Sequence, residues 1–146
     1  LVRTEQDVMI GFYIVRKLIE AKKITNELAE RSVDIISHPC IRPPVTLMNW
    51  HKIDELYDLN TSQRERIHLL QLANTFIHSY VFITDADDHG GLSGIYVNSD
   101  HSRNRKIFYL PIKDIIHILK EFGSNYPHMT RRTRNPQTGE FDVYNA

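Results

Sequence analysis

The hydrophobic positions divide the chain into a helical first half and a strand-rich stretch from Ser79 to Ile112. From about Thr4 to Ser37, apolar residues recur at intervals of three and four, which is the spacing of a helix. The pattern fits either one helix of about 30 residues or two helices that meet near Thr25. A single helix would be ~45 Å long and would overhang a compact domain of this size, roughly 30 Å across.

The prolines of residues 38–45 predict an extended connector, because proline excludes helix and restricts the residue before it. Asn49 is the expected N-cap of a short helix through Leu59. Ser62 and the glutamate three residues later have the spacing of a capping box. We therefore expect a second, longer apolar helix from Ser62 to about His78.

Aromatic and β-branched residues then indicate three strands: Tyr80–Thr84, Leu92–Ser99 and Arg105–Ile112. Alternation in the second and third strands puts apolar side chains on both faces, so each face needs a cover. A helix from Lys113 to Phe122 is expected next, with Gly123 as its stop signal.

The sequence thus predicts an α+β fold: N-terminal helices (one long or two), a short and a longer central helix, a three-stranded antiparallel β-meander and one C-terminal helix. At 146 residues, one domain is sufficient. We expect a single domain over residues 1–123 and a basic, turn-rich extension over residues 124–146.

Composition narrows the expected environment of the protein. Eighteen basic residues balance eighteen acidic ones, so binding to nucleic acid or to an anionic membrane requires a local patch. The single cysteine, Cys40, has no internal disulfide partner, and no run of apolar residues has the length of a membrane span. We expect a soluble, cytoplasmic protein.

The turn after the first predicted strand is acidic and is a candidate metal site. Its first half resembles a calcium-binding loop, but Tyr96 stands where that loop needs a bidentate glutamate. The competing interpretation is a solvated turn that favours aspartate and glycine for backbone reasons. The candidate metal ligands are Asp85, Asp87, Asp88 and His89.

Two basic segments are candidates for binding nucleic acid. The first is the tip of the second predicted hairpin, next to aromatic strands that could stack bases. The second is the C-terminal extension, and its alternative interpretation is a solvated basic tail. The candidate residues are Arg103, Arg105 and Lys106 at the hairpin, and Arg131, Arg132 and Arg134 in the extension.

The string RNPQTGE, residues 134–140, is similar to the arm tip of the histone-like DNA-bending proteins of bacteria. In that family the proline is a wedge between base steps, a role that would fall here to Pro136 beside Arg132 and Arg134. The similarity covers seven residues of 146, and the helical half of the chain does not follow that family's pattern. Asn-Pro-x-Thr-Gly is also a good turn sequence, so no family is assigned.

No catalytic set of residues emerges from the sequence, and no cofactor is predicted. The leading hypothesis is a non-catalytic interaction or regulatory protein that forms a homodimer through the N-terminal helix or the sheet. The alternatives are nucleic-acid binding through the basic hairpin tip and extension, and a metal-dependent enzyme that uses the acidic turn at residues 85–89.

Overall fold

A computed structural model of the protein describes residues 2–146, so Leu1 of the predicted domain lies outside the described residues. The fold is α+β, as predicted, and its centre is a five-stranded antiparallel sheet. Three helices cover one face of this sheet, and residues 40–62, which we call the connector, cover part of the other. A separate two-stranded sheet follows.

The helices are α1 (Val2–Glu20), α2 (Asn26–Ala29), α3 (Ile53–Leu56), α4 (Leu69–Ile77) and α5 (Ile112–Ser124). The strands are β1 (Ser32–Pro39), β2 (Gln63–His68), β3 (Ser79–Ala86), β4 (Leu92–Ser99), β5 (Lys106–Pro111), β6 (Thr130–Arg134) and β7 (Phe141–Asn145). In the large sheet the strand order is β2-β1-β5-β4-β3.

Helix α1 ends earlier than the one-helix alternative predicts, and a second, short helix begins after Thr25, which is its N-cap. Lys22 has a φ of 53°, the left-handed conformation that ends many helices. The Lys23 amide donates to Leu18 at 3.0 Å and the Lys22 amide to Ile19 at 3.1 Å, which completes a Schellman motif. With 19 residues, α1 is about 28 Å long. The overhanging 30-residue helix is therefore wrong, and with it the length argument for a dimer.

The sheet has five strands rather than three because two segments with helical signals form strands. Residues 32–37, predicted as helix, and residues 38–39, predicted as connector, form β1, which pairs with both β2 and β5. Ser62 does not open a helix, since Gln63–His68 is β2 and α4 begins only at Leu69. The helix expected from Asn49 to Leu59 is also reduced to the single turn of α3.

The predicted strands around residues 80–112 are present as β3, β4 and β5, with the expected faces. Ile95 lies opposite Leu110 and Val97 opposite Phe108, and all four side chains enter the core under the helices. They are three of the five strands of a larger sheet and do not stand alone as a meander. The helix that follows them, α5, is not the C-terminal element, because two further strands come after it.

A buried hydrogen-bond network fastens the connector to the opposite face. Asn98 is fully buried; its side-chain oxygen accepts from the Val81 amide at 3.1 Å, at a bulge in β3. Its amide nitrogen donates to the Tyr57 hydroxyl at 2.7 Å, and that hydroxyl donates to the Arg103 carbonyl at 2.6 Å. Burial raises the pKa of Tyr57 to about 12, so the hydroxyl stays a donor at neutral pH.

The helices are all short or interrupted by charge. Within residues 2–146, none is both long and apolar enough to cross a membrane.

Candidate functional site

The basic extension forms a two-stranded antiparallel ribbon, and we call Thr130–Asn145 the ribbon. Strands β6 and β7 pair in register from Thr130 opposite Asn145 to Arg134 opposite Phe141. At about 3.3 Å per residue, each five-residue strand spans roughly 17 Å. The expected turn-rich tail is thus correct only for the segment between the strands.

The tip of the ribbon is built by turn chemistry that the sequence encodes locally. The Asn135 side chain accepts from the Gln137 amide at 2.9 Å, and the Asn135 amide donates to the Glu140 carbonyl at 2.7 Å. Gly139 has a φ of 74°, a conformation that glycine adopts without strain. Pro136 is exposed at this tip.

The base of the ribbon is fastened to the turn between α1 and α2 by one buried asparagine. Asn145 is only 4% exposed, and its side-chain amide donates to the carbonyls of Lys22 at 2.8 Å and Ile24 at 3.0 Å. Its backbone amide donates to the Asn26 side chain at 2.9 Å, and its side-chain oxygen accepts from Thr130 at 2.8 Å. Every polar group on this side chain is therefore used to hold the ribbon.

A second asparagine holds the segment that leads into the ribbon. The Asn125 side-chain oxygen accepts from the Thr25 amide at 2.8 Å, and its nitrogen donates to the Thr25 hydroxyl at 3.1 Å. The two asparagines together hold the base of the ribbon, Asn125 ahead of β6 and Asn145 at the end of β7. Because a free tail has no such contacts, the ribbon is an ordered part of the fold.

The ribbon carries its three arginines on both faces. Arg132 and Arg134 lie on one face, and Arg131 lies on the other, with its guanidinium carbon 5.4 Å from the centre of the Tyr144 ring. All three side chains are exposed. None of them forms an ion pair with a carboxylate within residues 2–146.

The face with Arg132 closes a groove against the end of α1, and we call this the basic groove. Lys22, Lys23 and Arg132 line it, and Glu20 is the one carboxylate among its lining residues in the described chain. Glu20 is already neutralised, with Arg16 at 2.8 Å and Lys17 at 3.6 Å. The hydrogen bond from Arg16 holds the pKa of Glu20 below its usual value. The basic groove is therefore positively charged.

Lys22 and Lys23 are the residues that sequence reasoning missed. They lie more than 100 positions before the ribbon, and only the Asn145 clamp brings them beside it. The lysine pair shows in the sequence as a break in the helical pattern. That break was the only signal of its position.

The other basic segment, at the β4–β5 turn, lies away from the ribbon, and two of its three cations are paired with carboxylates. Arg103 pairs with Asp100 at 3.2 Å and stacks over Tyr80 at 4.1 Å. Lys106 pairs with Glu65 at 2.6 Å. Arg105 is exposed and lines a cleft on the helical side of the sheet.

The acidic turn uses its side chains to hold its own backbone. Asp87 accepts from the amides of His89 at 2.9 Å and Gly91 at 2.7 Å. Asp85 accepts from the Tyr109 hydroxyl at 3.2 Å, back on the sheet. Asp88 and His89 are exposed. In residues 2–146 no group of three or more His, Cys, Asp or Glu side chains is placed to hold a metal ion, and the metal site stays a prediction.

Cys40 is half-buried next to the connector, where burial raises the pKa of its thiol. A raised pKa leaves less thiolate at neutral pH, so this environment does not activate a nucleophile.

The comparisons with known proteins identify no relative. The chain matches no family model, no curated protein and no solved structure. Function therefore has to be argued from the ribbon, the basic groove and the cleft themselves.

Proposed function

We propose that the protein binds duplex DNA through the ribbon and the basic groove beside it, without catalysis. The observation that carries the proposal is the clamp of Asn145, which holds an exposed ribbon of three unpaired arginines next to Lys22 and Lys23. A segment that only needed to be solvated would not require a buried, fully hydrogen-bonded anchor.

The shape of the ribbon favours duplex DNA over duplex RNA. The major groove of B-form DNA is about 12 Å wide and admits a two-stranded ribbon, whereas the major groove of A-form RNA is too narrow for side chains to read. Paired strands lie about 4.8 Å apart, so the ribbon fits into the DNA groove with its side chains. Arginines on both ribbon faces can then reach the phosphates of both groove walls.

The zero net charge of the chain does not oppose this proposal. Affinity for DNA depends on the phosphates that local cations neutralise, and the salt dependence counts those contacts. Five cations belong to the proposed surface: Lys22, Lys23 and Arg132 line the basic groove, Arg134 follows on the same ribbon face, and Arg131 lies on the other face.

Fluorescence anisotropy with a labelled duplex tests the proposal across a salt series. Replacing Arg131, Arg132 and Arg134 by Gln is expected to weaken binding about 100-fold at low salt. The slope of log affinity against log salt should fall in magnitude by about 2.7, which is ~0.9 per lost phosphate contact.

A matched control removes the same charge from elsewhere on the surface. Arg3, Arg42 and Arg64 are exposed, and their replacement by Gln is expected to change the affinity by less than about threefold. Equal losses in the two triple variants, or no salt-dependent binding by the wild-type protein, would contradict the proposal.

Pro136 gives the ribbon an exposed apolar tip that could enter between base steps. Pro136→Ala is then expected to reduce DNA bending, measured by energy transfer between the duplex ends, with little change in affinity. Unchanged bending would show that Pro136 is not a wedge, without affecting the proposal that the ribbon binds in the DNA groove.

Homodimerisation is a second candidate, and a patch on α1 supports it. Ile10, Tyr13 and Ile14 are 59%, 51% and 50% exposed at helical spacing, on the side of α1 away from the core. A dimer would present two ribbons to one duplex and raise the avidity.

Size-exclusion chromatography with light scattering tests the dimer directly. We expect a dimer at tens of micromolar, and a monomer when Ile10 and Ile14 are both replaced by Glu. A monomeric wild-type protein at that concentration would contradict this candidate without affecting the DNA-binding proposal.

A further inference from the structure

One concavity in the described part of the protein has no role in DNA binding as proposed above. It is a cleft of about 660 Å³ on the helical side of the sheet, between β2, α4 and the β4–β5 turn. This volume lies in the range of small-molecule sites. Ile67 and Phe108 form its buried apolar floor, and polar side chains of α4 and the turn form its walls.

The charges around the cleft are unbalanced in favour of an anion. Its two carboxylates are already paired, Glu65 with Lys106 at 2.6 Å and Asp100 with Arg103 at 3.2 Å. The Arg105 guanidinium, in contrast, forms no ion pair within residues 2–146. An arginine can bind a carboxylate or a phosphate through two parallel hydrogen bonds.

The wall of the cleft also contains an acceptor without a donor. Asn74 lines the cleft from α4, and its side-chain oxygen is buried with no hydrogen-bond partner in the described chain. It is the one buried side-chain atom of residues 2–146 in this condition. Leaving such an atom unpaired is costly, and a leucine in its place would avoid the cost. The asparagine is therefore unexplained by the fold alone.

We propose that this cleft binds a small organic anion. Its phosphate or carboxylate pairs with Arg105 and accepts from the side-chain nitrogen of Asn74, and its apolar body lies over Ile67 and Phe108. His78 and His101 add ring nitrogens to the same walls. The proposal goes beyond the DNA-binding function and does not depend on it, since the ribbon and basic groove share no lining residue with the cleft.

Calorimetric titration of the full chain with two probes tests the proposal and distinguishes the two anion chemistries. Adenosine monophosphate supplies a phosphate, and citrate supplies carboxylates. We expect one of them to bind with one-to-one stoichiometry at millimolar concentration or below. Arg105→Gln should weaken that binding at least about tenfold, and the matched control Arg64→Gln should not.

Asn74→Leu provides a readout that a merely structural asparagine would not give. We expect it to raise the unfolding temperature by a few degrees, because it removes an unpaired buried acceptor, and to weaken binding of the probe about tenfold. The proposal is overturned if neither probe binds at millimolar concentration, or if Arg105→Gln binds as tightly as the wild type. Since Arg105→Gln leaves the ribbon intact, its DNA affinity should not change, which separates this proposal from the first.

Discussion

Two basic hairpins of this protein have similar compositions and different surroundings. At the β4–β5 turn, Arg103 and Lys106 are paired with carboxylates in the same domain. On the ribbon, Arg131, Arg132 and Arg134 have no such partners within residues 2–146. The difference teaches that the number of cations in a segment does not measure how many are available to a ligand. Availability is decided by the neighbours that the fold supplies, whether close in sequence, as Asp100 is to Arg103, or distant, as Glu65 is to Lys106.

The largest expected effect is the difference in duplex affinity between two triple variants, one in each hairpin. Replacing Arg103, Arg105 and Lys106 by Gln should keep duplex affinity within about threefold of the wild type, against about 100-fold for the ribbon triple. The same variant should lose up to about 1 kcal/mol of stability, because Glu65 loses Lys106 but keeps some contact with solvent. Anisotropy and thermal unfolding measure the two effects. An equal loss of affinity in both triples would show that the hairpins are equivalent.

The second prediction concerns the clamp that makes the ribbon different. Asn145→Ala leaves the carbonyls of Lys22 and Ile24 without their donor and should cost about 1–3 kcal/mol. The loss should be local: amide hydrogen exchange should accelerate in β6 and β7 but not in β4. Duplex affinity should fall about tenfold as the ribbon loses its fixed orientation. The exposed Asn60→Ala is the matched control, and faster exchange throughout the sheet would contradict a local clamp.

The third prediction separates backbone strain from charge at the basic groove. Lys22 is the one non-glycine residue of the described chain with a positive φ, so Lys22→Gly should stabilise the protein by about 0.5–1 kcal/mol. It should also weaken duplex binding a few-fold, because one groove cation is lost. Lys23→Gly should weaken binding similarly without the gain in stability. If Lys22→Gly is more stable but binds the duplex as tightly as the wild type, Lys22 does not contact the duplex.

The smallest expected effect is a pH dependence of the paired hairpin. Burial opposes ionisation of Glu65, but the hydrogen bonds from Lys106 and Ser37 outweigh it and lower its pKa from 4.5. A carboxylate with a lowered pKa stabilises the fold above its unfolded pKa and loses that contribution as pH falls through the folded pKa. Glu65→Gln should therefore be less stable than the wild type at neutral pH, by less than about 1 kcal/mol because the pair is partly solvated. The difference should shrink below about pH 4.5 in denaturant titrations; a constant difference would contradict it.

The sequence was informative where a strand is covered on both faces. The alternation in Leu92–Ser99 and Lys106–Pro111 gave the correct face for Ile95 and Tyr96, because burial on each side selects residues locally. It was misleading for β1 and β2. Residues 32–37 continue a three-and-four spacing, and Ser62 with Glu65 imitates a capping box, so only the pairing of β1 with β2 and β5 makes strands of these segments.

The site could be predicted only in part for the same reason. The three ribbon arginines were identified from sequence, but Thr130–Arg134 has no apolar residue that would signal a strand. Asn145 is a surface residue by type and becomes a buried anchor only when Asn26, 119 positions earlier, is beside it. The sequence also gives no sign that the Asn74 side-chain oxygen is unpaired, because this depends on the absence of a hydrogen-bond donor nearby in the fold.

The Asn145 clamp also sets the order in which the parts of the molecule can form. Its acceptors at Lys22 and Ile24 exist only after α1 has ended and the left-handed turn at Lys22 is in place. The sheet and its helices, by contrast, contain their core without any ribbon residue. The dependence runs in one direction: the core of the domain needs no ribbon residue, whereas the Asn145 clamp needs the folded turn after α1. A protease cut at the exposed tip, near Pro136, should therefore leave the domain folded, so that thermal unfolding of the domain and the proposed binding to a duplex can be measured separately.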